Sequence, residues 1–323
     1  AAVYPAAAVG ATVEEEAAPR AERGLRVLAT LLPITVQDMG RGGQAAQGVA
    51  CSGALDRPAL RAANRLVGNP PGAAALELPP GPMRLTVDQP VELAFTGAIG
   101  AAVIEGDRPV PAPHGQPFPL DAGAVLALQA PQRGMRGYLA RRGGFAVAPV
   151  LGSAARDDLA GLGPLPLRAG DVIGLGDLAA GLVQPALPPA RPLPARALPA
   201  AGEVVRLPVT LGPRADWFAP DQVARFLAQD WRVTDEVSRT GLRLAGVALA
   251  RAARELPSEG TVPGAVQVPH SGQPVLFLAD HPLTGGYPVI ACVHPEALPL
   301  AGQVPPGALI RFVAAHPFAE IAP

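Results

Sequence analysis

The sequence contains no lysine, so all 26 of its basic side chains are arginines, and they face 27 acidic side chains. This absence excludes a Schiff-base lysine and the lysine of a phosphate-binding P-loop. The formal net charge of −1 argues against nucleic acid or an anionic membrane as the main partner. We therefore expect no ATP site of the P-loop kind in this chain, although a partner could supply one.

Cysteine is also scarce, with Cys51 and Cys292 the two in the sequence. Two are too few for a disulfide framework or a zinc site, and each is interpreted as a small buried apolar residue. No apolar run approaches the roughly 20 residues of a membrane span. The five histidines show no H-x-x-x-H pattern. The sequence predicts a cytoplasmic protein that holds no metal.

Proline and glycine are abundant, with 40 and 37 residues. Long helices do not survive that density, whereas short strands joined by turns do. The fold is therefore predicted to be mainly β with a few short helices, and the even strand spacing suggests a barrel or sandwich. The best helix spans Asp56 to Val67, with Asp56 as its cap and Gly68 as its stop.

Changes in composition divide the chain. We predict a disordered tail over residues 1–24, which lacks the basic and apolar parts of a signal peptide. A first β domain over 25–178 and a second domain over 203–316 are separated by a Pro/Ala-rich linker over 179–202. Residues 317–323 are predicted to form a second tail.

A polar loop, residues 280–287, lies between the predicted strands Pro274–Ala279 and Pro288–Val293. The pair Gly285-Gly286 is predicted to turn the chain tightly. Asp280 and His281 are adjacent but point to opposite faces of an extended chain, so we reject them as an acid–base dyad. The loop also carries the hydroxyl of Thr284 and the phenol of Tyr287.

Four polar side chains of this region are candidates for one pocket with the donors and acceptors that an amide or urea group needs: Glu259, Gln267, Asp280 and Tyr287. Glu259 and Gln267 could instead satisfy loop amides.

A second candidate region is the glycine-rich stretch from Ile34 to Gly53, interpreted as a long loop. Its candidate ligand-binding residues are Gln37, Asp38, Arg41 and Ser52. Asp38 and Arg41 could equally form a surface ion pair. Farther on, Arg142 follows a predicted strand and either holds a carboxylate-like anion or is solvated.

Several long motifs resemble a known family. They are TVQDMGRGG (Thr35–Gly43), GVACSGALDRPALRAANRLVGN (Gly48–Asn69), YLARRGGF (Tyr138–Phe145) and LPSEGTVPGAVQVPHSGQPVLFLADHPLTGGYPVIA (Leu256–Ala291). Together with their spacing, they closely resemble the allophanate hydrolase subunit 2 family. That family is also called the biotin-dependent carboxyltransferase or KipA-like family, and it includes the C subunit of bacterial ATP-dependent 5-oxoprolinase.

The resemblance implies two cyclophilin-like β-barrel-type domains. It also implies a hetero-oligomer with a KipI-like protein of the allophanate hydrolase subunit 1 type, and with a LamB/YcsF-like protein. The preferred function is that of the C subunit of a 5-oxoprolinase, which converts 5-oxoproline to glutamate with ATP used by the complex and no cofactor bound by this chain alone.

Under this hypothesis the catalytic candidates are Glu259, Asp280 and Tyr287. The substrate-binding candidates are Gln37, Asp38, Arg41, Ser52, Arg142, Gln267 and Thr284, with Arg41 or Arg142 pairing the substrate carboxylate. One alternative is a carboxyltransferase that moves CO₂ from carboxybiotin on a partner to urea or a related amide. Another is a non-enzymatic antagonist of a KipI-like inhibitor of a sensor kinase. One fold serves all three functions.

Overall fold

The computed structural model describes residues 21–178, 181 and 198–315. The predicted tail 1–24 and linker 179–202 therefore lie largely outside the described residues, and the tail 317–323 lies wholly outside them. The domain limits drawn from composition stay a prediction. The described chain is mainly β, as predicted, with three short α-helices.

The first half forms two sheets that enclose one hydrophobic core. Their orders are β11-β1-β4-β9-β6-β7 and β2-β3-β10-β5-β8, and the paired strands are antiparallel. The strands are β1 (Leu25–Thr30), β2 (Thr35–Gln37), β3 (Ala75–Leu78), β4 (Met83–Val87), β5 (Val91–Gly97), β6 (Ala102–Glu105), β7 (Val110–Pro111), β8 (Phe118–Leu120), β9 (Val125–Leu128), β10 (Gly137–Arg141) and β11 (Val172–Ile173).

Helix α1 (Arg57–Leu66) packs on β5 and β10, and the predicted helix is confirmed. The Asp56 carboxylate accepts the Ala59 amide at 3.1 Å, which caps the first turn. The side chain of Asn64 connects α1 to the loop that follows it. Its amide group donates to the Ala73 carbonyl at 2.7 Å, and its oxygen accepts from Asn69 at 3.1 Å.

The second half contains a closed seven-stranded barrel in the order β12-β19-β16-β17-β14-β13-β20. The parallel pair β12–β20 closes it, with Val204 opposite Leu309. The remaining elements are β12 (Val204–Leu211), α2 (Pro220–Ala228), β13 (Trp231–Val237), β14 (Gly241–Ala245), β15 (Glu259–Gly260), β16 (Ala265–Gln267), β17 (Val275–Phe277), β18 (Thr284–Gly285), β19 (Val289–Val293), α3 (Leu298–Ala301) and β20 (Leu309–Ala314).

Aromatic side chains pack helix α2 against the barrel. Phe226 of α2 stacks on Phe312 of β20 with ring centroids 4.7 Å apart. The Trp231 indole donates to the Phe226 carbonyl at 3.0 Å, which satisfies the one polar atom of a fully buried ring. Leu55, which precedes α1, belongs to the same core cluster, so the two halves share buried apolar surface.

Two local predictions were wrong. Residues 35–37 form strand β2, paired with β3, because the run Thr-Val-Gln buries all three side chains at a sheet edge. The stretch Ile34–Gly53 is therefore not all loop. Gly285 does not turn the chain with positive φ; it pairs with Glu259 in the β15–β18 ladder. A Cβ at Gly285 would lie 2.5 Å from Gln267 Nε2, so a larger residue there would require the Gln267 amide to move.

Candidate functional site

A cluster of buried charges joins the two halves, and Arg239 lies at its centre. Arg239 follows β13 and is 6% exposed. Its Nε and Nη2 donate to the two oxygens of Asp280 at 2.9 and 3.0 Å. Its Nη1 donates to Glu77 Oε1 at 2.5 Å, and Nη2 also donates to the Gly53 carbonyl at 2.6 Å. We call Ser52, Glu77, Arg136, Arg239 and Asp280 the Arg239 cluster.

Electrostatic interactions with two carboxylates stabilise the charged form of Arg239. Burial alone lowers the pKa of the Arg239 guanidinium, but Glu77 and Asp280 outweigh it and raise that pKa above its ordinary value. Asp280 is fully buried, and its oxygens also accept from Ser52 Oγ at 2.5 Å and the Asp158 amide at 3.1 Å. With its lone pairs occupied, Asp280 is built to position neighbouring groups.

Tyr138 of β10 extends the cluster into the first half. Its hydroxyl donates to Glu77 Oε2 and accepts from the Asp56 amide, both at 2.7 Å. Burial raises the pKa of Tyr138 well above its usual value, and the charges of Glu77 and Asp56 raise it further. The phenol is therefore a neutral donor across the ordinary pH range.

Replacing Tyr138 with phenylalanine is expected to lower the free energy of unfolding by about 1–3 kcal/mol, because Glu77 loses a buried donor and the Asp56 amide loses its acceptor. The urea midpoint measures this loss. Tyr287→Phe is the matched control, since the Tyr287 side chain is 40% exposed and we expect a change below about 0.5 kcal/mol. Equal shifts in the two variants would contradict the assigned role of the Tyr138 hydroxyl.

Ser52 reaches Asp280 from a strained position. Its φ of 53° lies in the left-handed region that side chains with a Cβ rarely adopt. Such strain persists where the surroundings fix the backbone and is common at functional sites. Here Gly40 and Gly53 let the chain pass close to itself, since a Cβ on Gly53 would lie 2.6 Å from the Gly40 nitrogen.

Two clefts flank the cluster. One is apolar, has a volume of about 160 Å³ and has Cys51, Ser52 and Arg57 among its walls. The other is more polar and has a volume of about 210 Å³. Its polar wall residues are Thr35, Glu77, Arg136, Asp158, Ser238 and Arg239. The Arg239 cluster thus separates two small cavities, each lined by residues of both halves.

The predicted pocket residues divide into two groups. Asp280 joins Ser52, as described above, and does not pair with His281, whose Nδ1 lies 3.4 Å from the Ala279 carbonyl. The other group surrounds the β15–β18 ladder. There, Gln267 donates to the Tyr287 carbonyl at 3.1 Å, and Thr284 is exposed.

Glu259, in that second group, is held by both Nε and Nη2 of Arg214. The Arg214 hydrogen bond lowers the pKa of Glu259, which keeps it ionised. Both carboxylate oxygens are therefore engaged, so Glu259 is a poor proton carrier in this arrangement.

The candidate ligand-binding residues of the glycine-rich stretch form hydrogen bonds to other parts of the chain. The Asp38 carboxylate accepts from Ser153 Oγ at 2.6 Å and the Ala154 amide at 2.7 Å. Arg41 is 1% exposed and donates to the carbonyl of Ala155. Gln37 is also buried, and its amide group donates to the Arg156 carbonyl at 2.9 Å.

Arg142 donates to the carbonyls of Val67 and Gly181 at 3.1 and 2.9 Å. Neither Arg41 nor Arg142 lines either of the two clefts. In the described chain, both arginines predicted to pair a substrate carboxylate donate to backbone carbonyls, and Arg41 Nη1 has no hydrogen-bond partner there.

Sequence reasoning missed Glu77, Arg136, Tyr138 and Arg239. One signal was present, because Glu77 interrupts the apolar run Ala-Leu-Glu-Leu of a strand whose four side chains are all buried. A charge at such a position needs a buried partner. The partner itself, Arg239, is 162 residues away in sequence, and no spacing pattern connects the two.

Comparison with known proteins agrees with this architecture. Residues 47–314 match the model of the carboxyltransferase domain, subdomain A and B. The chain belongs to this carboxyltransferase family. The resemblance noted in the sequence motifs is thereby confirmed, and the match includes every residue of the Arg239 cluster.

Relatives in the family come from two kinds of enzyme. The C subunit of Escherichia coli 5-oxoprolinase is 38% identical over 90% of both chains. Urea amidolyase of Lachancea kluyveri is 34% identical over 86% of this chain but only 16% of its own length. Family members are therefore found both as enzyme subunits and within a much longer enzyme.

Solved structures give the same picture. Urea carboxylase of Kluyveromyces lactis is 28% identical, with a TM-score of 0.83 over 91% of this chain and 27% of its own. A protein designated TTHA0988 is 38% identical, with a TM-score of 0.76 over 90% of this chain. This chain spans 56% of the length of TTHA0988. Within the described residues, no helix is long and apolar enough to cross a membrane.

Proposed function

We propose that this chain is the C subunit of an ATP-dependent 5-oxoprolinase complex, in which it contributes to the pocket for the lactam substrate. The observation that carries the proposal is the 38% identity with the E. coli C subunit over 90% of both chains. The urea amidolyase of L. kluyveri, by contrast, is matched over only 16% of its length. Similarity along nearly the whole of a relative supports a shared role more strongly than similarity to one part of it.

The chemistry of a lactam explains why such a complex uses ATP. The lactam nitrogen delocalises its lone pair into the carbonyl, so the carbonyl carbon is a poor electrophile, and phosphorylation of its oxygen creates a leaving group. The sequence has no lysine for a P-loop. In this proposal a partner binds ATP, while this chain binds and orients the lactam.

The partners in the proposal are a KipI-like protein and a LamB/YcsF-like protein. The Arg239 cluster is suited to a role at such a shared pocket, because its buried hydrogen bonds fix the cleft walls before a ligand arrives. Asp280 and Ser52 act here as positioning residues.

Omitting this chain tests the proposal directly. We expect the co-expressed three-protein complex to form glutamate from 5-oxoproline in an ATP-dependent way, and glutamate formation to disappear when this chain alone is left out. Adding back the purified chain serves as the control and restores turnover. A complex that forms glutamate equally well without this chain would refute the proposal.

A second function, carboxyl transfer to urea or a related amide, is favoured by the similarity to urea carboxylase over 91% of this chain. In that case a partner carries the biotin, because this sequence has no lysine to which biotin could be attached. The two functions separate in one assay. Avidin abolishes carboxyl transfer and leaves ATP-dependent lactam opening unchanged.

A further inference from the structure

The polar cleft has the dimensions of a site for a small molecule. Its volume of about 210 Å³ lies below the roughly 300–1,000 Å³ of pockets that hold drug-sized ligands. Thr35, Glu77 and Arg136 of the first half face Ser238 and Arg239 of the second half across it. The cleft therefore offers charged and hydroxyl groups from both halves of the protein.

Most charges at this cleft are already paired. Arg239 directs all three of its guanidinium nitrogens at Asp280, Glu77 and the Gly53 carbonyl. Glu77 accepts from Arg239 with one oxygen and from Tyr138 and the Leu55 amide with the other. These groups form walls, and their hydrogen-bonding capacity is largely used within the protein.

Arg136 differs from its neighbours. It is 8% exposed, and its Nη1 donates to the Met135 carbonyl at 3.2 Å. Its Nε lies 3.8 Å from Glu77 Oε1, which is beyond hydrogen-bond length. Within the described chain its other N–H groups have no hydrogen-bond acceptor. A nearly buried guanidinium with unused donors beside a cleft is suited to an anion.

The backbone of Arg136 is held rigidly. Gln303 Oε1 accepts the Arg136 amide and Gln303 Nε2 donates to the Arg136 carbonyl, both at 2.8 Å. Burial lowers the pKa of Arg136; the charge of Glu77 opposes this shift, and Arg239 adds to it. A bound anion relieves the same burial cost. The position is thus preorganised, since little ordering is left for a ligand to bring about.

We propose that the polar cleft binds a small amide or lactam that bears a carboxylate, with Arg136 holding the carboxylate. Two hydroxyl groups that line the cleft, those of Thr35 and Ser238, are available to bind the amide. Thr35 Oγ1 accepts from Gln37 at 3.2 Å and Ser238 Oγ accepts from the Thr240 amide at 3.1 Å, so each O–H can donate to a ligand carbonyl. The identity of the ligand as 5-oxoproline rests on the proposed function. Arg136 thereby replaces Arg41 and Arg142 as the carboxylate partner.

The test compares two lactams that differ in one group. In the full complex, the KM for 5-oxoproline is measured beside the inhibition constant of 2-pyrrolidinone, which has the lactam and lacks the carboxylate. Arg136→Gln removes the charge, and Arg136→Lys keeps the charge without the planar fork. Arg84→Gln is the matched control, because Arg84 forms an exposed pair with Glu105 and lines neither cleft.

We expect Arg136→Gln to raise the KM for 5-oxoproline about tenfold to a hundredfold and to leave 2-pyrrolidinone inhibition unchanged. The KM of Arg136→Lys lies between the values of wild type and Arg136→Gln, and Arg84→Gln has the wild-type KM. An unchanged KM in Arg136→Gln, with wild-type turnover intact, overturns this inference and leaves the proposed function standing. Equal losses for both lactams also overturn it, since they indicate a distorted cleft.

If the complex shows no turnover, the proposed function is refuted. The proposed ligand site in the cleft is then tested by a binding measurement. Saturation-transfer NMR with 5-oxoproline and with 2-pyrrolidinone is then recorded on the full-length chain and on its assembly with the partners. Carboxylate-dependent binding that is lost in Arg136→Gln supports the site. No carboxylate-dependent binding in either preparation overturns it.

Discussion

Replacing Asp280 with alanine is expected to lower the free energy of unfolding by about 3–5 kcal/mol, because the change leaves a buried cation partly unpaired. Arg239 loses two hydrogen bonds, and the Ser52 hydroxyl and Asp158 amide lose an acceptor. The loss is measured by urea unfolding, followed with two optical probes because a chain of 323 residues need not unfold in one step.

Asp230→Ala is the matched control for this prediction. Asp230 pairs with Arg311 at 2.7 Å, but both side chains are about one-third exposed. A pair of this kind contributes about 0–1 kcal/mol. Similar losses in the two variants would show that the Arg239 cluster does not fasten the halves together. In the complex, Asp280→Ala should also reduce turnover, because Ser52 and Arg239, which line one cleft each, lose their common partner. Unchanged turnover removes Asp280 from the functional residues.

Local sequence signals are sufficient for much of the fold. Apolar runs next to proline or glycine coincide with strands such as Met83–Val87 and Val204–Leu211. Capping signals locate α1 to within one residue at each end. Strand β2 escapes prediction because three residues inside a glycine-rich stretch give too short a pattern for period-two alternation to emerge.

The candidate site depends on information that local patterns do not contain. Asp280 and Ser52 are both predicted site residues, yet their contact joins residues 228 positions apart. The local pattern places Arg239 in a turn, since one arginine after a strand has the same local signature whether it is solvated or buried. Only the closure of the barrel against the first half decides that Arg239 meets Glu77 and Asp280. Tertiary pairing, and not residue type, therefore determines which charges are functional candidates.

Replacing Gly53 with alanine is expected to lower the free energy of unfolding by roughly 2–5 kcal/mol, the combined cost of a left-handed backbone and of a steric clash. Gly53 has a φ of 88°, and an added Cβ would lie 2.6 Å from the Gly40 nitrogen and 2.8 Å from the Met39 carbonyl carbon. The backbone must therefore shift. Its own carbonyl, which accepts from Arg239 at 2.6 Å, moves with it.

Gly48→Ala separates the two costs of the Gly53 substitution. Gly48 has a φ of 79° in the same glycine-rich stretch, but nothing lies within 4 Å of an added Cβ. Its substitution therefore carries the backbone cost alone, about 1–2 kcal/mol. We expect turnover of the complex to fall in Gly53→Ala and to persist in Gly48→Ala, because only Gly53 touches the Arg239 cluster. Equal unfolding losses with equal turnover would mean that close backbone packing around Ser52 is not what holds the cluster in place.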